Sequence, residues 1–207
     1  TLVKLMNRFY DVSRGSIEIN GVDIRKYNLE SLRAQIGYVA QKAHMFKGSI
    51  QSNICFGKPE ASVEEMVHAA TVAQASDFIS TREHGYEDEI AEDGTNISGG
   101  QKQRLSIARV ILKKPSLYIY DDSFSALDFK TDATLRKALK PEVKNAIFFV
   151  VAQRISTIMD SDMIIVLDEG QIIGMGTHAQ LLKDCSVYQE IAHSQLTQKE
   201  LDDYERN

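Results

Sequence analysis

The sequence predicts an α/β fold in which a helical segment interrupts a parallel sheet. Residues 117–120 and 146–152 are short apolar runs of the kind that form strands covered on both faces. A helical pattern at residues 131–140 separates these two runs. A longer helical stretch, residues 50–112, separates them from an earlier strand at residues 36–40. Strand–helix alternation on both sides of a helical insertion favours this architecture.

The chain length and composition fit one mid-sized globular domain with its own core. The 207 residues are 43% hydrophobic and 26% charged, which excludes coiled-coil, collagen-like and disordered chains. A net charge of −5 provides no basic field for nucleic acid. The longest purely hydrophobic run falls far short of the about 20 residues that a membrane span needs. Cys55 and Cys185 lack disulfide or metal-ligand spacing, which favours a reducing compartment.

The N-terminal part predicts a helix and then a hairpin. Residues 2–10 place apolar side chains at helical spacing, which predicts a helix with one buried face. Because no cap or turn precedes this pattern, we expect a fragment of a longer chain, the alternative being a frayed natural terminus. Asn20-Gly21, between two alternating segments at residues 16–19 and 22–24, predicts a type I′ hairpin. The next predicted elements are a short helix and a strand, residues 29–35 and 36–40.

Capping residues mark the later helices. Ser62 and Glu65 form a capping box that opens a predicted helix over residues 62–80, and Thr177 with Gln180 forms another. The other predicted elements are a polar loop (81–96), a helix (100–113) closed by Lys113-Lys114-Pro115, a helix (131–140) that begins near Asp128 and stops at Pro141, two strands (163–167 and 171–174) and an exposed helix or tail in the last dozen residues.

The most informative segment is residues 97–106, Ile-Ser-Gly-Gly-Gln-Lys-Gln-Arg-Leu-Ser. Ser98 and Gln101 form a capping box, and Gly99 and Gly100 leave the helix N-terminus without side chains. Backbone N–H groups and the positive end of the helix dipole then favour an anion, most naturally a phosphate. An ordinary capped helix would have the same residues, so this motif alone leaves both interpretations open.

Two adjacent carboxylates follow the apolar run at residues 117–120. Asp121 and Asp122 come at the C-terminal end of this predicted strand, where ligands bind in open α/β sheets. Adjacent side chains on a strand point to opposite faces, so at most one of the two faces a given metal ion. A solvated acidic turn is the alternative for this pair alone.

The order of these segments resembles the ATP-binding cassette (ABC) nucleotide-binding domain. The resemblance is carried by Gln41, the Ser98-Gly99-Gly100-Gln101 motif, Asp121-Asp122, residues 125–128 and Gln153, and it extends from residue 1 to about residue 190. Residues 2–46 and 170–182 resemble the exporter branch. The resemblance implies a P-loop NTPase (RecA-like) parallel sheet flanked by helices. It also implies a division into core residues 1–49 and 113–190, a helical subdomain at 50–112 and a C-terminal helix or tail at 191–207.

The resemblance implies that two cassettes enclose two ATP molecules, each bound by the phosphate loop of one cassette and the signature of the other. Asp121 matches the Walker B carboxylate that holds Mg²⁺, and Gln41 matches the glutamine that reaches the metal and the attacking water. Asp128 lies in the loop that crosses to the opposite site. The signature residues that would close over the partner's γ-phosphate are Ser98, Gly99, Gly100 and Gln101.

The resemblance places the family's phosphate loop, G-x-x-x-x-G-K-[ST], just before Leu2. Thr1 would be its last residue or the one that follows, next to the metal. The lysine and glycines of this loop are not among the 207 residues, so we expect the chain as given to bind ATP poorly or not at all.

Two positions depart from the family pattern. Asp122 stands where the family has a catalytic glutamate, and Gln153 stands where it has a switch histidine. A carboxylate misplaced by about 1 Å can cost on the order of 100-fold in rate, and glutamine cannot titrate. Together with a nearly intact signature, in which only Ile97 replaces the usual leucine, these changes resemble the degenerate half of a heterodimeric exporter.

We therefore expect the ATPase domain of an ABC exporter at the cytoplasmic face of the cell membrane, with ATP and Mg²⁺ as cofactors. The expected partners are a second, different nucleotide-binding domain with intact glutamate and histidine, and a transmembrane domain fused upstream. Nucleic acid is not expected as a partner. The chain's own site would be slow, and its signature would complete the partner's working site. Two alternatives stay open, namely an ATP-gated clamp without catalysis and a soluble ABC ATPase of DNA repair or translation.

Overall fold

The structure is a computed structural model that describes residues 1–197 and contains two compact units, residues 1–151 and residues from 152 onward. The helices of the first unit are α1 (Leu2–Met6), α2 (Leu29–Ala34), α3 (Ile50–Ile54), α4 (Val63–Val72), α5 (Ser76–Ser80), α6 (Gly99–Lys113) and α7 (Phe129–Glu142). Its strands are β1 (Glu18–Ile19), β2 (Val22–Asp23), β3 (Ile36–Val39), β4 (Gly48–Ser49), β5 (Glu89–Ile90), β6 (Leu117–Asp121) and β7 (Ile147–Val151). The second unit contains α8 (Ile155–Ile158), β8 (Ile164–Asp168), β9 (Gln171–Gly176), α9 (His178–Asp184) and α10 (Ser186–Gln195).

A parallel sheet in the order β3-β6-β7 forms the centre of the first unit. One face of β6, represented by Ile119, packs with Val3 of α1 and Leu32 of α2. The opposite face, represented by Tyr120, packs in the larger cluster that includes Leu105 of α6. This two-sided burial explains why β6 is an apolar run rather than an alternating sequence. The neighbouring strand β7 is equally apolar but was wrongly expected to be covered on both faces, since Ile147 and Val151 are exposed. The predicted α/β fold with helices on a parallel sheet is confirmed.

The stretch between residues 50 and 112 is mostly helical, but it is not entirely so. The two-residue strand β5, within the predicted loop 81–96, pairs antiparallel with β4 just before α3, with Gly48 opposite Ile90. A ladder of two residues has no recognisable period in the sequence, which is why the loop prediction missed it. The finer division at residues 50 and 113 stays a prediction.

The predicted type I′ hairpin is present but short. Asn20 and Gly21 both have positive φ angles, 53° and 74°, as this turn requires. The strands β1 and β2 contribute two residue pairs. Ile24 was predicted at the end of the second strand. It begins a 3₁₀ turn instead, because the Asp23 side chain accepts the N–H of Arg25 at 2.8 Å.

The first predicted helix is shorter than its apolar pattern suggests. α1 ends at Met6, and Arg8 adopts a left-handed conformation with φ of 48°. The guanidinium of Arg8 donates to the carbonyl oxygens of Ile24 and Tyr27 at 3.3 and 3.2 Å. These tertiary bonds turn the chain away from the helix, so Tyr10 is 65% exposed rather than buried.

The predicted helix over residues 62–80 is two helices, α4 and α5. Gln74 has a φ of 58°, and the N–H of Ala75 bonds to the carbonyl of Ala70, which closes α4 before α5 begins. The capping box of Ser62 and Glu65 at the start of α4 is confirmed. α7 continues to Glu142, one residue past Pro141, where the helix had been expected to stop.

The second unit is built on the antiparallel pair β8 and β9. The chain turns at Glu169 and Gly170, which have φ angles of 45° and 80°. The capping box of Thr177 and Gln180 opens α9 as predicted. The expected C-terminal helix or tail lies largely in residues 198–207, outside the described residues. In residues 1–197, no helix has the length and apolar character needed to cross a membrane.

Candidate functional site

The N-terminus of α6 is capped, exposed and open on one side. Ser98 Oγ accepts the N–H of Gln101 at 3.2 Å, and Gln101 Oε1 accepts the N–H of Ser98 at 3.0 Å, which confirms the predicted capping box. A Cβ atom added to Gly99 would meet nothing within 4 Å. A Cβ atom on Gly100 would lie 3.4 Å from the carbonyl oxygen of Ala126. Position 100 therefore faces the segment after β6 at van der Waals distance, while Gly99 borders free space beside the terminal N–H groups.

The carboxylates at the end of β6 have separate partners on β3 and the residues that follow it. The Tyr38 hydroxyl donates to Asp121 Oδ2 at 2.9 Å. The side-chain amide of Gln41 donates from Nε2 to Asp122 Oδ2, also at 2.9 Å. Tyr38 packs against the cluster shared with α1 and α2, so Asp121 belongs to that face of the sheet. Asp122, at the first position after β6, has a φ of 50° and is 9% exposed.

The hydroxyl of Tyr38, which donates to Asp121, has a shifted pKa. Partial burial, together with the hydrogen bond to the Asp121 carboxylate, raises the pKa of Tyr38 to about 12. The phenol therefore keeps its proton at neutral pH and remains a donor to the carboxylate.

The segment 125–128 is fixed at both of its ends. Ser125 Oγ donates to the carbonyl oxygen of Asp122 at 2.7 Å. Asp128 is the N-cap of α7, and its carboxylate accepts the N–H and the hydroxyl of Thr131 at 2.9 and 2.6 Å. These hydrogen bonds lower the pKa of Asp128, so its exposed carboxylate is ionised at neutral pH.

A buried glutamine connects α6 with the residue before Gln41. Gln103 is 1% exposed, and its Nε2 donates to the carbonyl oxygen of Ala40 at 3.1 Å. Sequence analysis did not select this residue. Gln103 lies at helical spacing from the buried residues Ser106 and Val110, which are three and seven positions later. A polar residue on the buried face of a helix could have been recognised from this spacing.

Arg109, further along α6, anchors the segment that follows Gln41. Its Nε donates to the carbonyl oxygen of Asn53 at 2.8 Å, and its guanidinium lies over the rings of Phe46 and Phe56. The two rings stack at 4.3 Å and are half exposed. Burial lowers the pKa of Arg109 to about 10, which leaves it charged at neutral pH. This aromatic pair was also missed, because its members come together through tertiary contacts that have no sequence pattern, among them the hydrogen bonds between the Phe46 backbone and the Asn53 side chain.

Thr1 and Gln153 are the two remaining predicted residues. Thr1 is the N-cap of α1, where its carbonyl oxygen accepts the N–H groups of Lys4 and Leu5, and its side chain makes no capping bond. Gln153 belongs to the second unit, where its carbonyl oxygen accepts Gln195 Nε2 at 2.8 Å. The structure therefore brings Gln41 to Asp122, and it describes Gln153 in a different unit.

The chemistry of Asp121 and Gln41 fits a magnesium ion that arrives with a nucleotide. Asp121 provides a carboxylate, and Gln41 keeps an amide oxygen free of its bond through Nε2, so both offer hard oxygen ligands. Within residues 1–197, no cluster of three or more His, Cys, Asp or Glu side chains could hold a metal by itself. A nucleotide-bound Mg²⁺ needs only one or two protein oxygens in addition to phosphates and water.

Comparison with known proteins gives the same family throughout. The family model described as ABC transporter matches residues 1–125. The chain is 46% identical over 191 residues to the putative multidrug export ATP-binding/permease protein YgaD of Bacillus subtilis (strain 168), covering 92% of this chain and 33% of that protein. It is 41% identical over 199 residues to Heavy metal tolerance factor 1 of Caenorhabditis elegans, covering 96% of this chain and 25% of that protein.

A solved structure of a bacterial Atm1-family ABC exporter with ATP bound superposes with a TM-score of 0.91 at 38% identity, covering 93% of this chain and 34% of that chain. This confirms the predicted P-loop NTPase fold. The chain spans about a third or less of the length of these relatives. Family match, identity and fold agree, and the chain is a nucleotide-binding domain of the ABC transporter family, homologous to multidrug-type and Atm1-family exporters.

Proposed function

We propose that this domain binds ATP with Mg²⁺ and pairs with a second nucleotide-binding domain to power export across a membrane. The observation that carries the proposal is the N-terminus of α6, where Ser98 and Gly99 are exposed beside free space. No side chain is needed there, because the terminal N–H groups themselves attract a phosphate. An exposed phosphate-binding terminus suits a nucleotide held mainly by a partner domain.

The chain's own nucleotide would be held on the opposite side of β6. Asp121 and the Gln41 amide oxygen would bind the Mg²⁺, which neutralises charge on the phosphates when bound. Gln41 also donates a hydrogen bond of 2.9 Å to Asp122. A movement of Gln41 would therefore break or displace this bond to the carboxylate. The half-exposed residues Phe46 and Phe56 follow Gln41 in the sequence. The bond from Gln41 to Asp122 would therefore link the state of the bound nucleotide to this aromatic pair.

The chain's own site is proposed to turn over slowly. Asp122 carries its carboxylate one methylene closer to the backbone than a glutamate would. Its bond to Gln41 and its left-handed backbone limit how far it can reach toward an attacking water. Gln153 supplies a neutral amide where a histidine could hold and exchange a proton. The partner domain would therefore provide the glutamate and histidine of the working site, which Ser98, Gly99, Gly100 and Gln101 complete.

The full-length protein is proposed to supply a phosphate loop before Leu2 and a fused transmembrane domain, with this domain at the cytoplasmic face. Support for the loop comes from α1. Val3 packs in the cluster that also contains Ile119, on the face of the sheet to which Asp121 belongs. A loop that enters α1 would lie on the same face of the sheet as that carboxylate. Support for the transmembrane domain comes from a relative's description as an ATP-binding/permease protein about three times longer than the match.

The test is steady-state ATP hydrolysis by the full-length transporter, comparing Ser98→Arg with Asp122→Asn. Ser98→Arg should reduce turnover by about 100-fold or more, since it fills the phosphate site and removes the cap. Asp122→Asn should leave most of the turnover. Ser62→Arg is the matched control, because Ser62 caps α4 with the same capping box. Loss of turnover in Asp122→Asn together with normal turnover in Ser98→Arg would reverse the assignment.

An ATP-gated clamp without catalysis is the second candidate, favoured by Asp122 and Gln153. It predicts that the full-length protein retains bound ATP unhydrolysed at one site per pair of domains. A rapid-quench measurement of bound nucleotide distinguishes a site that never hydrolyses from one that hydrolyses slowly. No observation favours a soluble ATPase of DNA repair or translation.

A further inference from the structure

Tyr38 reaches Asp121 diagonally across the parallel pair β3 and β6. In the register of this pair, Tyr38 lies beside Ile119, and Asp121 is the next residue of β6 on the same face. A tyrosine is long enough to span this diagonal, and its hydroxyl lies 2.9 Å from Asp121 Oδ2. The contact joins residues that are 83 positions apart, so it exists only when the sheet has this register.

The ring of Tyr38 is itself held in place. The ring of Phe9 meets it edge-on, with centroids 5.7 Å apart and an interplanar angle of 77°. The guanidinium of Arg33 lies over the other ring of this pair, 5.4 Å from the centroid of Phe9. The phenol therefore approaches the carboxylate from a direction that the surrounding aromatic and cationic groups fix.

The hydrogen bond makes the two carboxylate oxygens of Asp121 unequal. A neutral phenol has one proton to donate, and here it is given to Oδ2. Among the described residues, the structure gives Oδ1 no side-chain donor. An oxygen that already accepts a strong hydrogen bond is the poorer ligand for a cation, and a fixed carboxylate plane points the other oxygen in one direction.

We propose that Tyr38 is a positioning residue for magnesium: by holding Oδ2 of Asp121 it presents Oδ1 to the cation. This inference rests on the proposed function, since it requires Asp121 to be the carboxylate that binds the ion. Hydrogen-bond partners of metal-binding carboxylates typically contribute 10-fold to 100-fold to metal affinity. Because Mg²⁺ is also held by nucleotide phosphates, we expect an effect at the lower end of this range, about 10-fold.

The experiment measures Mn²⁺ binding to the full-length protein by electron paramagnetic resonance, with a non-hydrolysable ATP analogue present so that turnover does not contribute. Tyr38→Phe removes only the hydroxyl. Tyr27→Phe is the matched control, because its hydroxyl also makes a hydrogen bond of 2.9 Å, to the carbonyl oxygen of Ile19. Asp121→Asn is the reference for loss of the metal-binding carboxylate.

Tyr38→Phe should weaken Mn²⁺ binding by about 10-fold, leave binding of the metal-free analogue unchanged, and match Tyr27→Phe in melting temperature within a few degrees. Affinity equal to that of Tyr27→Phe, or tighter than wild type, overturns the inference, the latter because it would show competition between phenol and cation. If Asp121→Asn binds Mn²⁺ as wild type does, the proposed magnesium role of Asp121 fails instead.

Discussion

The N-terminus of α6 and the end of β6 are built in different ways. At the helix terminus, Ser98 and Gln101 satisfy each other across three positions of sequence. At the end of β6, Asp121 depends on Tyr38, 83 residues earlier, and Asp122 depends on Gln41, 81 residues earlier. The first site is complete once a single helix forms, whereas the second exists only when β3 and β6 pair in register.

Because the two regions are built differently, substitutions in them should differ in how function and stability are affected. Changes at the open side of the helix terminus should alter ligand binding and leave unfolding unaffected, because little of the chain packs there. Changes to the residues that position Gln41 and Asp121 should alter both, because the same bonds position the site and join distant parts of the chain. The substitutions that follow test this separation.

Gly99→Leu should have the largest effect on activity and almost none on stability. The added side chain enters space that is empty in this chain, and that bound nucleotide and partner would fill. We expect ATP hydrolysis by the full-length protein to fall on the order of 100-fold, with an unchanged melting temperature. Gly100→Leu is the contrast, because its Cβ atom starts 3.4 Å from the Ala126 carbonyl oxygen and should also lower the melting temperature. Equal melting temperatures for the two variants would contradict the separation.

Gln103→Met tests the bond that connects the two regions. Methionine keeps the shape of the side chain but cannot donate to the carbonyl oxygen of Ala40. Leaving this acceptor unsatisfied should cost about 1–2 kcal/mol in the free energy of unfolding. A displacement of the adjacent Gln41 should also reduce ATP hydrolysis by about threefold to tenfold. Urea unfolding and steady-state hydrolysis measure the two effects.

Gln189→Met is the control for that variant. Gln189 Nε2 donates to the carbonyl oxygens of Leu182 and Lys183 at 2.7 and 3.2 Å in the second unit. It should lower the urea midpoint but leave ATP hydrolysis near the wild-type rate. If both glutamine variants reduce hydrolysis equally, the bond from Gln103 to Ala40 has no special part in the site.

Asp128→Ala should lower stability as an ordinary cap does, with a further effect on hydrolysis. Asn28→Ala removes the N-cap of α2 and is the matched control. The hydrogen bonds to Thr131 lower the pKa of Asp128, so its stabilising effect is complete above the unfolded-state pKa of about 4 and is lost as the pH falls further. The urea midpoints of wild type and Asp128→Ala should therefore converge in acid. Midpoints that stay equally far apart at every pH would show that the cap does not depend on ionisation.

The parts that could be predicted from sequence are those whose bonds are local. The capping boxes at Ser98, Ser62 and Thr177, and the turn at Asn20-Gly21, are each confirmed, because donor and acceptor lie within a few residues. The apolar run that forms β6 was also recognisable, since burial on both faces leaves few polar residues. The run that forms β7 was recognisable as well, although its end residues Ile147 and Val151 are exposed.

The parts that were missed depend on distant contacts. Nothing in residues 2–10 indicates that Arg8 will bond to carbonyl groups on a later turn and end α1. The break between α4 and α5 occurs at Gln74, and no glycine or proline at this position indicates it in the sequence. The role of Tyr38 could not be predicted either, because a tyrosine in a buried strand normally indicates packing alone. Its hydrogen bond to Asp121 depends on the register of β3 and β6, which the sequence does not indicate.

Restoring the family residues at positions 122 and 153 gives the smallest expected change in ATP hydrolysis. It also distinguishes most clearly between one working site and two equal, slow sites. Under the proposed function, the double variant Asp122→Glu with Gln153→His would restore the longer carboxylate and the titratable ring to the chain's own site. If a partner's site already does the work, two working sites replace one, and hydrolysis by the full-length protein should rise by about twofold at most. A rise of tenfold or more would show instead that the wild-type protein works with two equal, slow sites, as a homodimer would. The single variants identify which position limits the rate, because a carboxylate and a histidine that act as a unit give non-additive effects.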